Sequence, residues 1–120
     1  KFFSKKLNIT CHYQSTKIAQ LMEKADLSIG SGGSTTWERC CLGLPSIVSI
    51  SADNQKKLTE AVAKNGCSIN LGFVNKLSSR DYQKAITNID SLTLIRMSQK
   101  CIKLVDGNGI YRVVDELLSI

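Results

Sequence analysis

A chain of 120 residues with 42% hydrophobic and 22% charged side chains has the size and composition of one globular domain, able to bury a core without disulfide or metal staples. No apolar run approaches bilayer-spanning length, and the opening KFFSKKLNIT has neither the long apolar stretch nor the cleavage site of a signal peptide. The net charge of +6 favours anionic ligands, but the lysines are scattered and aromatics are few, which argues against a nucleic-acid surface.

Strand and helix signals alternate along the chain. KFFSKK reads as the end of a helix, and LNITC (7–11) as a short β-branched strand. STKIAQLMEKA follows as a helix with Ser15 at its N-cap and Ile18, Leu21, Met22 and Ala25 on one face. DLSIG (26–30) is a strand ending on glycine. A helix begins near Thr35 and stops at GLP, where Gly43 ends it and Pro45 forbids its continuation. SIVSI (46–50) is the clearest strand, NQKKLTEAVAKNG a helix closed by Asn65-Gly66, and CSINLG (67–72) a fourth strand. Three helices complete the chain. The first carries Tyr82, Ala85, Ile86 and Ile89 on one face, the second Leu94, Met97, Cys101 and Leu104. After the breaker DGNG, the third carries Ile110, Val113, Val114, Leu117 and Leu118.

A β-α-β-α-β-α-β order with short connections predicts an α/β, Rossmann-like parallel sheet with helices on both faces and extra helices at the C-terminus. Ligands of such sheets sit beyond the carboxyl ends of the strands. The segment IGSGGSTTWERCCLGLP (29–45) lies at that end of the strand 26–30. Gly30, Gly32 and Gly33 allow positive φ and close backbone approach. The helix that follows offers free N–H groups and the positive end of its dipole, and Ser34, Thr35 and Thr36 add hydroxyls. The combination is a cradle for phosphate, although a tight turn with a Ser/Thr cap has the same composition.

Two well-known phosphate loops do not fit. No Gly-Lys-Ser/Thr follows Gly33, and the dinucleotide pattern G-x-G-x-x-G meets Thr35 in its third place, although Asp53 lies at the expected distance. Glu38 has two readings. With Thr35 it forms a capping box, or it grips the hydroxyls of a ribose one turn behind a bound diphosphate. In ADNQ (52–55), Asp53 or Asn54 caps the next helix, or Asn54 and Gln55 offer amides to a sugar. His12, at the end of the first predicted strand, faces the same edge without a neighbouring carboxylate. The five cysteines, at 11, 40, 41, 67 and 101, are odd in number with no C-x-x-C pair. They read as reduced, buried thiols of a cytoplasmic protein, and no metal site or cofactor is expected.

ADLSIGSGGSTTWERCCLGLPSIVSISADNQ (25–55) and DGNGIYRVVDEL (106–117) resemble the carboxyl-terminal half of the UDP-sugar hydrolases of pseudaminic acid biosynthesis. Their relatives include spore-coat polysaccharide biosynthesis proteins and, more widely, GT-B glycosyltransferases such as the peptidoglycan N-acetylglucosaminyltransferase. The resemblance implies the nucleotide-sugar-binding half of a GT-B fold. Gly32, Gly33, Ser34 and Thr35 would cradle the diphosphate of UDP, Glu38 would hold the ribose, and Asn54 and Gln55 would read the sugar. Water, or in a transferase an acceptor hydroxyl, would attack the sugar carbon. The family's histidine base sits in a Gly-x-Gly-His loop of the amino-terminal domain; that motif is absent from these residues, and His12 does not inherit its role. The chain, residues 1–120, therefore reads as a piece of a longer two-domain protein. The expectation is UDP-sugar binding without turnover, no catalytic residue of its own, and a missing amino-terminal domain as its intramolecular partner. A non-enzymatic nucleotide-sugar-binding module is the remaining alternative.

Overall fold

The computed structural model describes residues 8–120. Helix α1 (Ile18–Lys24) leads into strand β1 (Ser28–Ser31), helix α2 (Thr35–Cys41) and strand β2 (Ser46–Ile50). A 3₁₀ turn (Asp53–Gln55), helix α3 (Lys56–Lys64), strand β3 (Ser68–Phe73) and a second 3₁₀ turn (Val74–Lys76) follow. Helices α4 (Ser79–Asn88), α5 (Ser91–Leu104) and α6 (Gly109–Leu118) close the chain. The sheet order is β1-β2-β3, all parallel, with β2 central. Every residue of β2 is buried, because an apolar run in mid-sheet is covered on both faces. The fold is the expected Rossmann-like α/β arrangement, with three parallel strands among the described residues.

The predicted first strand does not form. Residue 7 and the KFFSKK segment lie outside the described residues, and residues 8–11 have no strand. Asn8 stands at φ 54°, a left-handed conformation that interrupts an extended run, and these residues are exposed rather than packed. Ser15 does not cap α1 either. Its Oγ accepts from the Lys17 N–H at 3.1 Å in a local turn, and the helix starts later, with Lys17 at its N-cap and no side-chain cap bond.

Strand β3 carries one residue more than β2 across the pair. Val48 opposes Asn70 but Ile50 opposes Phe73. The extra residue is accommodated at Gly72, which sits at φ +93° and donates its N–H to Asn70 Oδ1 at 2.9 Å. Gly43 ends α2 at φ +68° and Gly66 follows α3 at φ +78°, as their sequence positions predict.

The core lies where α2, α3, β3 and α5 meet, around Cys40, Val62, Cys67 and Cys101, with Leu58 and Val105 packed against it. Three of the five cysteines are thus buried, as expected, but Cys11 and Cys41 are exposed. The neighbouring Cys101 thiol lowers the pKa of Cys40, whereas burial pushes Cys67 up. Met97 joins Cys101 as the buried side of α5. The apolar stripe of α6 is present in the predicted register, but Ile110, Val113, Val114, Leu117 and Leu118 are all exposed.

Candidate functional site

Strand β1 ends at Ser31, and the chain turns through Gly32 and Gly33 into α2. The Gly32 N–H continues the ladder to Ser49 O at 3.1 Å, so the loop is an extension of the sheet rather than a free excursion. Inside the first turn of α2, the N–H of Thr36 bonds Gly33 O at 3.0 Å and that of Trp37 bonds Ser34 O at 3.2 Å. The preceding amides, of Gly33, Ser34 and Thr35, have no acceptor among the described residues. Three successive unpaired donors at the carboxyl edge of a parallel sheet are what an anion seat requires.

The glycines serve this loop differently from the expectation. None of Gly30, Gly32 and Gly33 has a positive φ. Gly32 is required by a close approach: a Cβ there would lie 1.9 Å from Thr59 Oγ1, on α3. Thr59 Oγ1 also donates to Gly32 O at 3.4 Å, pinning the loop to α3. At Gly33 the nearest atom to an added Cβ is Gln55 Nε2, at 3.5 Å. The absence of a side chain there keeps the amides open.

Gln55 bridges two loops. Its Oε1 accepts from both the N–H and the Oγ of Ser51, each at 3.0 Å, and its amide nitrogen turns toward Gly33. Of the pair expected to read a sugar, Gln55 is therefore committed on its oxygen and offers only N–H donors. Asn54 is exposed. The helix-capping alternative for Asp53 and Asn54 fails, because neither the 3₁₀ turn nor α3 has a side-chain cap bond.

Glu38 is not in a capping box. The helix runs from Thr35 with Ser34 at its N-cap, so Thr35 lies inside the helix. The third helical residue is then Trp37, which has no carboxylate. The box that does form is Ser78 with Asp81 at the start of α4, where the Ser78 N–H donates to Asp81 Oδ2 at 2.8 Å. Glu38 stands exposed in the first turn of α2 with its carboxylate uncommitted.

A residue the sequence reading did not single out sits beneath the loop. Arg39 is 4% exposed. Its Nη2 donates to Ser31 O at 3.1 Å and to Thr36 Oγ1 at 3.2 Å, while Nε has no partner. No carboxylate pairs with it among the described residues. Burial lowers its pKa from the ordinary arginine value, but a guanidinium remains charged in a protein. The loop thus rests on a buried cation that has no ion-pair partner among the described residues, with the Glu38 carboxylate acting on it only from a distance, and such a cation favours an anion nearby. The signal available in the sequence was its position one helical turn beyond Thr35 and Thr36, on the inner face of α2.

His12 is exposed and lines a shallow depression with Ser15, Lys17, Gln20, Leu21 and Lys24, none of which belongs to the glycine loop. Without the first strand it has no place on the sheet edge. A depression of about 520 Å³ is lined by residues including Asp26, Gly43, Pro45 and Ser98. It lies where β1 and β2 begin, the end opposite to the one at which parallel sheets bind ligands.

The sheet and its carboxyl-edge loop define the chain as a Rossmann-like half of the GT-B type. Residues 1–105 match the glycosyltransferase family 28 C-terminal domain, and the chain belongs to that family. It is 30% identical over 102 residues to the spore coat polysaccharide biosynthesis protein SpsG of Bacillus subtilis (strain 168). That alignment covers 83% of this chain and 30% of the relative. No helix among the described residues is long and apolar enough to cross a membrane.

Proposed function

We propose that the chain binds the UDP portion of a UDP-amino-sugar and acts as the donor-binding half of an enzyme that releases UDP during surface polysaccharide or nonulosonic (pseudaminic) acid synthesis. The observation that carries this reading is the run of unpaired amides at Gly33, Ser34 and Thr35 above the buried Arg39 guanidinium, whose Nε has no partner. The diphosphate sits on those amides beside Gly32, with the Ser34 and Thr35 hydroxyls in reach. Charge-assisted hydrogen bonds of this kind contribute about 1.5–3 kcal/mol each. The free carboxylate of Glu38 accepts from the two ribose hydroxyls. Asn54 and the Gln55 amide donate to the sugar from the neighbouring loop.

In the reaction, an incoming oxygen attacks the anomeric carbon, the bond from that carbon to the diphosphate breaks, and UDP leaves with the bonding electrons. The loop amides and Arg39 stabilise the charge gathering on the leaving group. The base that takes the proton comes from the amino-terminal domain of the complete protein, in whose cleft the sugar lies, and we assign no catalytic residue to these 120 residues. The resemblance to the pseudaminic acid hydrolases favours water as the attacking oxygen. Membership of a glycosyltransferase family supports a second reading, in which an acceptor hydroxyl takes that place. The setting is cytoplasmic, where UDP-sugars are made.

Titration with UDP, followed by amide resonances, tests the seat. The largest shifts fall on Gly33, Ser34 and Thr35 under this reading; shifts confined to scattered lysines would sink it. Glu38→Ala weakens UDP on the order of tenfold or more, as loss of charged hydrogen bonds entails, and leaves pyrophosphate little changed. UDP release by the complete protein in acceptor-free buffer distinguishes hydrolysis from transfer.

A further inference from the structure

Three sulfur atoms meet in the core, apart from the glycine loop. The Sγ atoms of Cys40 on α2, Cys67 just before β3 and Cys101 on α5 all lie within 4.8 Å of one another. Their residues are 2%, 1% and 0% exposed. The sequence separates them by 27 and 34 positions, so no spacing motif announces the cluster; three separate elements bring it together.

The surroundings are one-sided in charge. The apolar shell is Val62, Leu58 and Val105. The ionised side chains within electrostatic reach of the thiols are cationic, Arg39 for Cys40 and Cys101 and Lys100 for Cys67. Lys100 and Arg39 take part in no ion pair among the described residues.

We propose that Cys40, Cys67 and Cys101 form a trithiolate site for one soft divalent cation of the zinc and cadmium type. At a zinc–sulfur distance of about 2.3 Å, sulfurs around one ion stand about 3.8–4.0 Å apart. The three thiols therefore need to contract by less than about 1 Å from the upper bound observed. Binding exchanges protons for metal: M²⁺ and three S–H groups give a tris-thiolate complex of net charge −1 and release three protons. No oxidant or reductant takes part. The complex has the charge that Arg39 and Lys100 lack as a counter-ion, and it removes the cost of the unpaired guanidinium. Because the thiols are closed to solvent, the ion enters as the chain folds or through transient opening of α5, and it couples to stability. The three sulfurs lie apart from the glycine loop, with Arg39 a neighbour of both.

The test uses the complete protein, reduced and stripped of metal, titrated with cadmium ion alone and then with zinc as competitor. One equivalent of cadmium produces an ultraviolet thiolate-to-metal charge-transfer band, releases protons and raises Tm. Cys67→Ala and Cys101→Ala, which keep the pocket apolar, each lose that equivalent; Cys11→Ala and Cys41→Ala keep it. Should the core variants fold poorly, the ¹¹³Cd resonance of the wild-type protein decides. A shift in the sulfur-rich range supports three thiolates, and one typical of oxygen or nitrogen ligands overturns the site. A band that survives Cys67→Ala and Cys101→Ala, no band at all, or recovery of two of the three cysteines as a disulfide from the reduced preparation likewise overturns it.

Discussion

Gly32→Ala is the sharpest perturbation of the loop, because its consequence follows from one contact. The new methyl would lie 1.9 Å from Thr59 Oγ1, 3.0 Å from its Cβ and 3.2 Å from its Cγ2. Rotating Thr59 relieves the first of these and breaks the hydrogen bond to Gly32 O, but it cannot move the Thr59 Cβ. The loop must then shift away from α3, where Thr59 is only 2% exposed. Overpacking of this kind costs about 1–3 kcal/mol, and the lost hydrogen bond adds about 0.5–1.5 kcal/mol. Thr59→Ala alone removes that bond and one buried methyl, a cost of about 1–2 kcal/mol. In the double variant the clash with Oγ1 and Cγ2 is gone and only the 3.0 Å Cβ contact remains. The two substitutions should therefore couple favourably by at least about 1 kcal/mol. Equilibrium urea denaturation of the wild type, both single variants and the double variant measures the coupling. Additivity within about 0.5 kcal/mol would refute the claim that Thr59 is what makes a glycine necessary at position 32.

Further outcomes follow from the neighbouring groups. Arg39→Met should weaken UDP on the order of tenfold, the loss of about 1.4 kcal/mol of attraction, while leaving binding of uridine unchanged in a calorimetric titration; equal loss for both ligands would place Arg39 outside the phosphate's field. Asp106, held down to about 2 by hydrogen bonds from Arg112 and the Asn108 N–H, anchors the start of α6. A depressed carboxylate adds stability above its unfolded value near 4, and the contribution is lost as pH falls toward 2. Helical signal from residues 109–118 should accordingly decline across that window, and in Arg112→Ala the decline should move to higher pH, as followed by amide exchange.

The middle of the chain was legible because its signals are local. Pro45, the β-branched run SIVSI and the Asn65-Gly66 stop act within a few residues, and β2 and α3 fall where they predict. The ends of elements were less so. The one-residue shift that moves the N-cap from Thr35 to Ser34 undoes the expected capping box, since a box needs its carboxylate at a fixed offset. The strand at 7–11 had the right residue types, but residues 8–11 have no paired neighbour among the described residues, and β propensity without a partner decides little. What could not be read at all were contacts between distant segments. Gly32 against Thr59 spans 27 residues, and nothing in either residue's surroundings names the other. Arg39 was overlooked for a different reason: its acceptors are close in sequence, but they are a backbone carbonyl and a hydroxyl rather than a carboxylate that sequence spacing would suggest.

The claim on which the functional reading rests is that the open N–H groups after β1 receive the diphosphate. A crystal structure of the complete protein with UDP measures it directly. The account predicts phosphate oxygens within hydrogen-bond distance of the amides of Gly33, Ser34 and Thr35, with both ribose hydroxyls on Glu38. Diphosphate bound in the depression between Asp26, Pro45 and Ser98, at the other end of the sheet, would contradict it.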